Sequence, residues 1–391
     1  MGKQIDIFDN IQEVVGFDFE ENKVRLVENL EYLKTLTVEE QTLYKKWLEL
    51  NKGGKMLKKI KKLRTYEQQL WKPNDITDVE GTVQEIMDLD PYVIMAESGK
   101  GVTEWTNVRK LIHTMEWVAN PGRNMKFWVK DRGTEKILGQ ICLGSDVTSI
   151  KVRDEYIGWD KENKFTDHKL NNTCIATTIV STQPGGYNMI MGKLIAALTT
   201  CKTIRDAWET KYGDRLIAVG TTALYGVHSM YNGIPHFKTM GETTGKVRLK
   251  PDDEVYLPWN KWLKDNHPAE HAKAISATGP KQNILNKVFK HCGIKATDYD
   301  HGFKRGVYFA QMYDNGNEYL RSEIGLDELV MKKKFMDDIP YTTKWWKKKA
   351  VKRFIKLSEQ GRIKDGHLFY IDGIGITWEQ MQNKYLCDVG R

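Results

Sequence analysis

The sequence is poor in cysteine, and what it has is scattered. Cys142, Cys174, Cys201, Cys292 and Cys387 are the only five in 391 residues, with no CxxC pair and no Cys/His cluster. An odd, dispersed set argues against a disulfide framework and a structural zinc site, and it fits a reducing cytoplasm. No apolar run is long enough to cross a bilayer, so no membrane partner is expected. Met1 to Asn10 is polar and mixed in charge, unlike a secretory signal. No HExxH or Walker A element is present and no Ser-His-Asp order stands out, which leaves hydrolase and NTPase readings with little support. No internal repeat and no low-complexity tract is present.

What the chain does have is a core-forming composition with a basic balance. Hydrophobic residues are 40% and charged residues 29%, enough to pack a core and to argue against global disorder. The net charge of +8 suits a polyanionic partner without specifying one. The 12 Trp and 17 Tyr, interleaved with Lys and Arg, supply both core rings and rings that could stack on bases.

Residues 1 to about 70 read as helical. Thr37 is an N-cap for Val38-Glu39-Glu40, and Gly53-Gly54 is a break. The next segment puts Met56, Ile60 and Leu63 on one side and lysines opposite, either as a solvated face or as a phosphate contact. Lys72 to Gly81 is turn-rich, and residues 82 to 120 read as helical again, interrupted at Pro91, Gly99 and Gly101. From Asn124 the pattern changes to two strand-like runs joined at Arg132 to Glu135, a hairpin. Ile190, Leu194, Ala197, Cys201, Ile204 and Trp208 then follow at steps of four and three, one apolar helix stripe ending at Gly213. "RLIAVGTTALYG" reads as a buried strand, and "HSMYNGIPHFKTMGETTGKV" as irregular. Residues 251 to 300 read as loop-rich with a helical patch around Lys281 to His291. Lys304 to Ile324 reads as strand then helix. The most basic segment is helical from about Thr343 to Gln360, with Lys344, Lys348, Lys352 and Lys356 in one row. Adjacent Trp345 and Trp346 point about 100° apart, so at least one must face the protein body.

The stretch "CIATTIVSTQPGGYNMIMGKLIAAL" (Cys174 to Leu198) raises a chemical question. A strand-like run stops at Gln183-Pro184-Gly185-Gly186 and a helical pattern follows. Two readings stand: a plain strand-to-helix turn, or a backbone left bare so that unpaired N–H groups can receive a phosphate. The order hairpin, strand, glycine turn, long helix, strand resembles the acyl-CoA-binding core of the GNAT N-acetyltransferase superfamily. Gln183 and Gly186 match that family's pyrophosphate loop, and Asn188 stands where it has Gly or Ala.

A second resemblance covers about residues 136 to 250. "ILGQICLGSDVTSIKVRDEYIGW", "LNNTCIATTIV", "IRDAWETKYGDRLIAVGTTALYG" and "SMYNGIPHFKTMGETTGK" resemble the family of the Druantia anti-phage protein DruA. It rests on Arg153, Asp154, Ile157, Gly158 and Trp159, on Asn171-Asn172, on Asp206-Ala207-Trp208, and on Gly241, Glu242, Thr243 and Gly245.

These resemblances imply an α+β chain. A helical region covers 1–120, a GNAT-like mixed sheet flanked by helices covers 121–250, and a basic mixed region covers 251–391. They imply a phage- or defence-associated protein acting on nucleic acid, with acyl-CoA as cofactor and an amine on a nucleobase as acceptor. Gly185, Gly186, Tyr187 and Asn188 would hold the pyrophosphate. Ile179, Val180 and Ser181 would pair with the pantetheine arm. Asp154 would be the base and Tyr231 the acid, with Tyr225 as a substitute. Arg153 and Asp154 equally suit a brace for the Ile-Gly-Trp turn, and His228 and His236 suit ordinary polar roles. The rival reading is a non-catalytic nucleic-acid-binding module that kept the fold and lost the cofactor.

Overall fold

The computed structural model describes residues 17–118, 122–224, 226, 229–276, 279–336, 338–366 and 369–389. Along the chain these form α1 (Phe19–Thr35), α2 (Val38–Asn51), α3 (Ile60–Arg64), α4 (Val79–Asp88), β1 (Pro91–Met95), α5 (Lys100–Ile112), β2 (Asn124–Asp131), β3 (Ile137–Ser145), α6 (Lys151–Ile157) and β4 (Thr173–Ser181). Then come α7 (Gly185–Asn188), α8 (Met191–Leu198), α9 (Lys202–Tyr212), β5 (Ala218–Ala223), β6 (Lys238–Arg248), α10 (Asp253–Asn266), α11 (Pro268–Ser276), α12 (Pro280–Cys292), β7 (Asp300–Gln311), α13 (Gly316–Leu320), α14 (Asp338–Glu359) and α15 (Trp378–Val389). The α+β class expected from sequence is the one observed, as a mixed open sheet flanked by helices.

The chain divides into two compact units. The smaller takes the residues up to Thr37 and Lys246–Gly302, and the larger takes Val38–Gly245 and Phe303–Arg391. In the smaller unit, α1 buries Leu26, Leu30 and Leu33 while α10 buries Tyr256, Trp259 and Leu263. Asn29 and Asp252 exchange two hydrogen bonds of 2.9 and 3.0 Å, and the Tyr299 hydroxyl donates to Glu31 at 2.9 Å. The Asp18 carboxylate caps α1 by accepting the Glu21 N–H at 2.9 Å.

The sheet runs in the order β1-β2-β3-β4-β5-β7-β6. Pairs β1–β2, β2–β3, β3–β4 and β5–β7 are antiparallel, whereas β4 and β5 are parallel. In β2 alternate residues are buried, as one packed and one wetter face require, and β3 is buried almost throughout. The hairpin between them forms where expected. Asp131 fixes it by accepting the Thr134 N–H and hydroxyl at 2.9 and 2.7 Å and the Asp90 N–H at 2.8 Å. Side chains of α4, α8, α9 and α14 share one apolar cluster with Phe127, Val129, Ile141 and Leu143. Those of α2, α5 and α15 form another with Ile137.

Several expectations are corrected. The stripe from Ile190 to Trp208 is split between α8 and α9, because the Thr199 and Thr200 hydroxyls donate to the Ala196 and Ala197 carbonyls at 2.7 and 3.0 Å where the helix breaks. Gly213 ends α9 at φ 75° as expected. The segment read as irregular contains most of β6, so Gly241, Glu242, Thr243 and Gly245 lie in a strand. Residues 253–292 are mostly helical, not loop-rich: Pro268 and Pro280 sit at the first position of α11 and α12, where proline starts a helix. Pro91 begins β1 inside the stretch read as helical.

Candidate functional site

The glycine turn lies where β4 hands over to α7. Ile179, Val180 and Ser181 pair with Ile141, Gln140 and Gly139 of β3. On its other edge β4 meets β5 only at Thr173–Ile175, opposite Ala218–Gly220. One further link follows, the Thr221 hydroxyl donating to the Ala176 carbonyl at 3.1 Å. The β3 register jumps from Cys142↔Thr178 to Leu143↔Ala176, which leaves Thr177 as an extra residue in β4. Beyond that bulge the β5-facing edge of β4 has no strand partner among the described residues.

The turn after Ser181 includes a cis Gln183-Pro184 peptide. Its glycines are bare because the protein's own atoms fill the space. A Cβ on Gly185 would lie 2.8 Å from the Met191 methyl, and one on Gly186 would lie 2.6 Å from the Ser181 hydroxyl and 2.7 Å from the Gln183 amide. The N–H groups are also engaged. Gly186 donates to Thr182 at 2.9 Å, Tyr187 to the Gln183 side chain at 2.9 Å, and Asn188 to Pro184 at 3.1 Å. A phosphate cradled here by backbone donors would have to displace those bonds. Asn188 is fully buried and clamps the chain at Lys364, donating to its carbonyl at 2.6 Å and accepting its N–H at 3.1 Å.

Helix α14 docks on this turn. Thr342, Trp346, Ala350, Phe354 and Leu357 are buried along one side, and the Trp346 indole donates to the Met189 carbonyl at 2.9 Å. Trp346 is thus the tryptophan that faces the body. Arg353 donates to the Tyr187 carbonyl at 2.8 Å. Lys344, Lys348, Lys349, Lys352 and Lys356 are exposed, and none has an ion-pair partner among the described residues. Lys347 instead reaches the Met87 carbonyl at 2.6 Å, beside a groove of about 750 Å³ lined by Met87, Leu89, Ile339 and Val351.

The proposed base and acid have separate partners. Both Asp154 carboxylate oxygens are occupied. One accepts Arg153 at 2.9 and 2.7 Å, and the other accepts Lys164 at 2.5 Å. Arg153, 1% exposed, also binds Asp146 at 2.6 Å and the Val147 carbonyl at 2.8 Å, and lies over the Trp159 ring. Trp159 donates to the Leu320 carbonyl at 2.7 Å. Tyr231 packs its ring against Tyr308 and Phe237. Burial pushes its phenol up to about 12, against the opposing hydrogen bond with Thr221. It is therefore protonated at neutral pH, and it stands where β5 parts from β4. Tyr225 and His228 lie outside the described residues. His236 is buried, with Nε2 3.2 Å from the Thr342 hydroxyl. Burial, then the nearby Lys334, lower its pKa to about 4.

Sequence reasoning missed two cations at the turn, Lys193 and Lys364. Lys193 had a visible signal, as the lone charge in the apolar run "MIMGKLIAAL". Lys364 had none, because its place is set by contacts far away in sequence, the Asn188 clamp among them.

The family described as Druantia protein DruA matches residues 39–322. The chain belongs to the DruA family. Among curated proteins, the Druantia protein DruA of Escherichia coli strain UMEA 4076-1 is 28% identical over 262 residues, which is 62% of this chain and 64% of that protein. The chain therefore spans less than two thirds of the curated relative it matches. No solved structure matches. The residues that carried the resemblance act largely as braces here. Beyond Arg153 and Trp159, the Asn172 amide donates to the Arg215 carbonyl at 2.9 Å, Trp208 is fully buried, and the Thr243 hydroxyl accepts the Arg305 N–H at 3.1 Å.

Proposed function

We propose that the chain serves defence against bacteriophage by engaging nucleic acid. The observation that carries this reading is the exposed lysine row of α14, fixed in place by Trp346 and free of ion-pair partners among the described residues. Steps of four residues keep Lys344, Lys348, Lys352 and Lys356 on one slowly turning line, suited to following a phosphate backbone. Membership of the DruA family supplies the defence context. Fluorescence anisotropy with labelled single- and double-stranded oligonucleotides tests it. Log affinity should fall steeply as log salt rises, and replacing those lysines with Gln should flatten the slope. Absence of oligonucleotide binding at low salt would remove this reading.

A second reading is favoured by the strand order. The only parallel pair with described register, β4 and β5, separates after Ile175 and Gly220. A GNAT-like core places the pantetheine arm of acyl-CoA in such an opening, along Ile179, Val180 and Ser181; as an amine takes the acyl group and gives up its proton to water, Tyr231 would act as acid, protonating the departing coenzyme A thiolate. Asp154 has no step in it, since its oxygens are taken by Arg153 and Lys164. Calorimetry with acetyl-CoA and longer acyl-CoAs decides the matter. Binding, together with turnover reduced in Tyr231→Phe, is the expected result, and no binding of any of them ends the reading.

A further inference from the structure

Positive side chains gather where the glycine turn meets α14. Lys364 Nζ lies 4.4 Å and the Arg353 guanidinium 5.3 Å from the centre of the Tyr187 ring. Arg353 spends Nε on the Tyr187 carbonyl, which leaves its other N–H groups available. Lys193, half-buried near the start of α8, donates to the Asn232 carbonyl. Its pKa is lowered by burial first and then by Lys349 and Arg353, so both cations are within electrostatic reach. None of Lys193, Lys349, Arg353 or Lys364 has a carboxylate partner among the described residues. Like charges held together without an acid repel one another, and a bound anion relieves that repulsion.

The backbone is not the receptor here. The N–H groups of Gly186, Tyr187 and Asn188 already have internal acceptors, so side-chain cations are the available donors. The cluster is also continuous with the exposed row of α14. Lys349 is three residues from Lys352, and Arg353 is three from Lys356, so each pair shares one helix face. The opening between β4 and β5 is adjacent, since a Cβ on Gly192 would lie 3.7 Å from the Ser181 hydroxyl and 3.0 Å from the Met230 sulfur.

We propose that Arg353 and Lys364 beside Tyr187, together with Lys193 and Lys349 near Arg353, form a seat for one phosphodiester group of a nucleic-acid strand, at the end of the α14 row. The seat rests on the nucleic-acid reading above and adds to it the place where the strand is gripped. A repeating polyanion fits because it can occupy the seat and the row together, as an isolated phosphate cannot.

Anisotropy with a labelled single-stranded oligonucleotide on the full chain tests it. Replacing Lys193, Lys349 and Lys364 together with Gln should weaken binding about tenfold or more and reduce the salt slope by about 0.7 for each phosphate no longer neutralised. Lys193→Arg should retain affinity, and circular dichroism should show each variant folded. The reversal Lys349→Glu serves if the combined variant fails to fold. Unchanged affinity and slope in these variants, with the slope flattened when Lys344, Lys348, Lys352 and Lys356 become Gln, would overturn the seat and leave the row standing. No oligonucleotide binding by the unaltered chain would overturn both. Displacement of the oligonucleotide by coenzyme A or by poly-glutamate as readily as by unlabelled strand would also overturn the assignment.

Discussion

Asp154 shows how one residue type serves opposite readings until its partners are known. In sequence it is a carboxylate beside an arginine, and it fits a base or a brace equally well. In the structure its oxygens are taken by Arg153 and Lys164, and Arg153 is almost fully buried. Asp154→Asn should therefore lower stability by about 1–3 kcal/mol, because the buried Arg153 and Lys164 lose a shared charged acceptor. Chemical denaturation checks this, and an unchanged midpoint would show that the network does not need the charge. Glycines divide in the same manner. A Cβ on Gly139 would fall 2.4 Å from the Val180 carbonyl and 2.7 Å from Ile195, whereas one on Gly220 meets nothing closer than 3.7 Å. Gly139→Ala should cost about 1–3 kcal/mol or more through overpacking, and Gly220→Ala should be close to neutral. Equal thermal midpoints for the two variants would contradict the packing described here.

Elements were legible where the sequence carried a period and a stop. The hairpin β2–β3, the strand β5, the end of α9 at Gly213 and the helix α14 follow from alternation, stripe or cap. The strand β6 was not legible, because "KTMGETTGKVR" is polar and twice interrupted by glycine, and its place comes from the sheet rather than from its own side chains. The helices after residue 252 were hidden by prolines that begin helices instead of breaking them. In the candidate site, the glycine turn and the lysine row were visible, but the cations that converge on Tyr187 come from segments far apart in sequence. His236 ties such segments together, donating to or accepting from Thr342 in the first turns of α14. Its folded pKa of about 4 lies below the ordinary value of 6.5. Between those values the unfolded chain takes up a proton that the fold refuses, so this contribution is present above pH 6.5 and is lost as pH falls toward 4. By pH 5 the loss should reach about 2 kcal/mol, at about 1.4 kcal/mol per unit. His236→Gln should flatten that part of the pH profile in urea denaturation, and parallel profiles for the two proteins would exclude the effect.

At the scale of the molecule, the surplus of +8 gives a polyanion a general attraction, while the α14 row and the seat at Tyr187 give it a place. The division into two units makes a different kind of prediction. The smaller unit is assembled from a leading helix, α1, and a distant stretch, 246–302. Leu26, Leu30 and Leu33 of α1 are at most 1% exposed, and burial of each such side chain contributes about 1.5–3 kcal/mol. Asn29 also holds Asp252 just before α10, and the Trp259 indole donates to the Asn22 carbonyl at 3.3 Å. A chain beginning at Val38 would expose the face of α10 that these residues cover, and α12 packs on α10. The loss of several kcal/mol is comparable to the whole stability of a small domain. The larger unit keeps its own apolar clusters, none of which includes α1. Hydrogen exchange on the shortened chain should therefore show fast amides throughout α10 and α12 while β2, β3 and β4 stay protected. Retained protection in α10 and α12 would mean that the helices of 246–302 fold without α1. Loss of protection in β2–β4 as well would mean that the two units unfold as one.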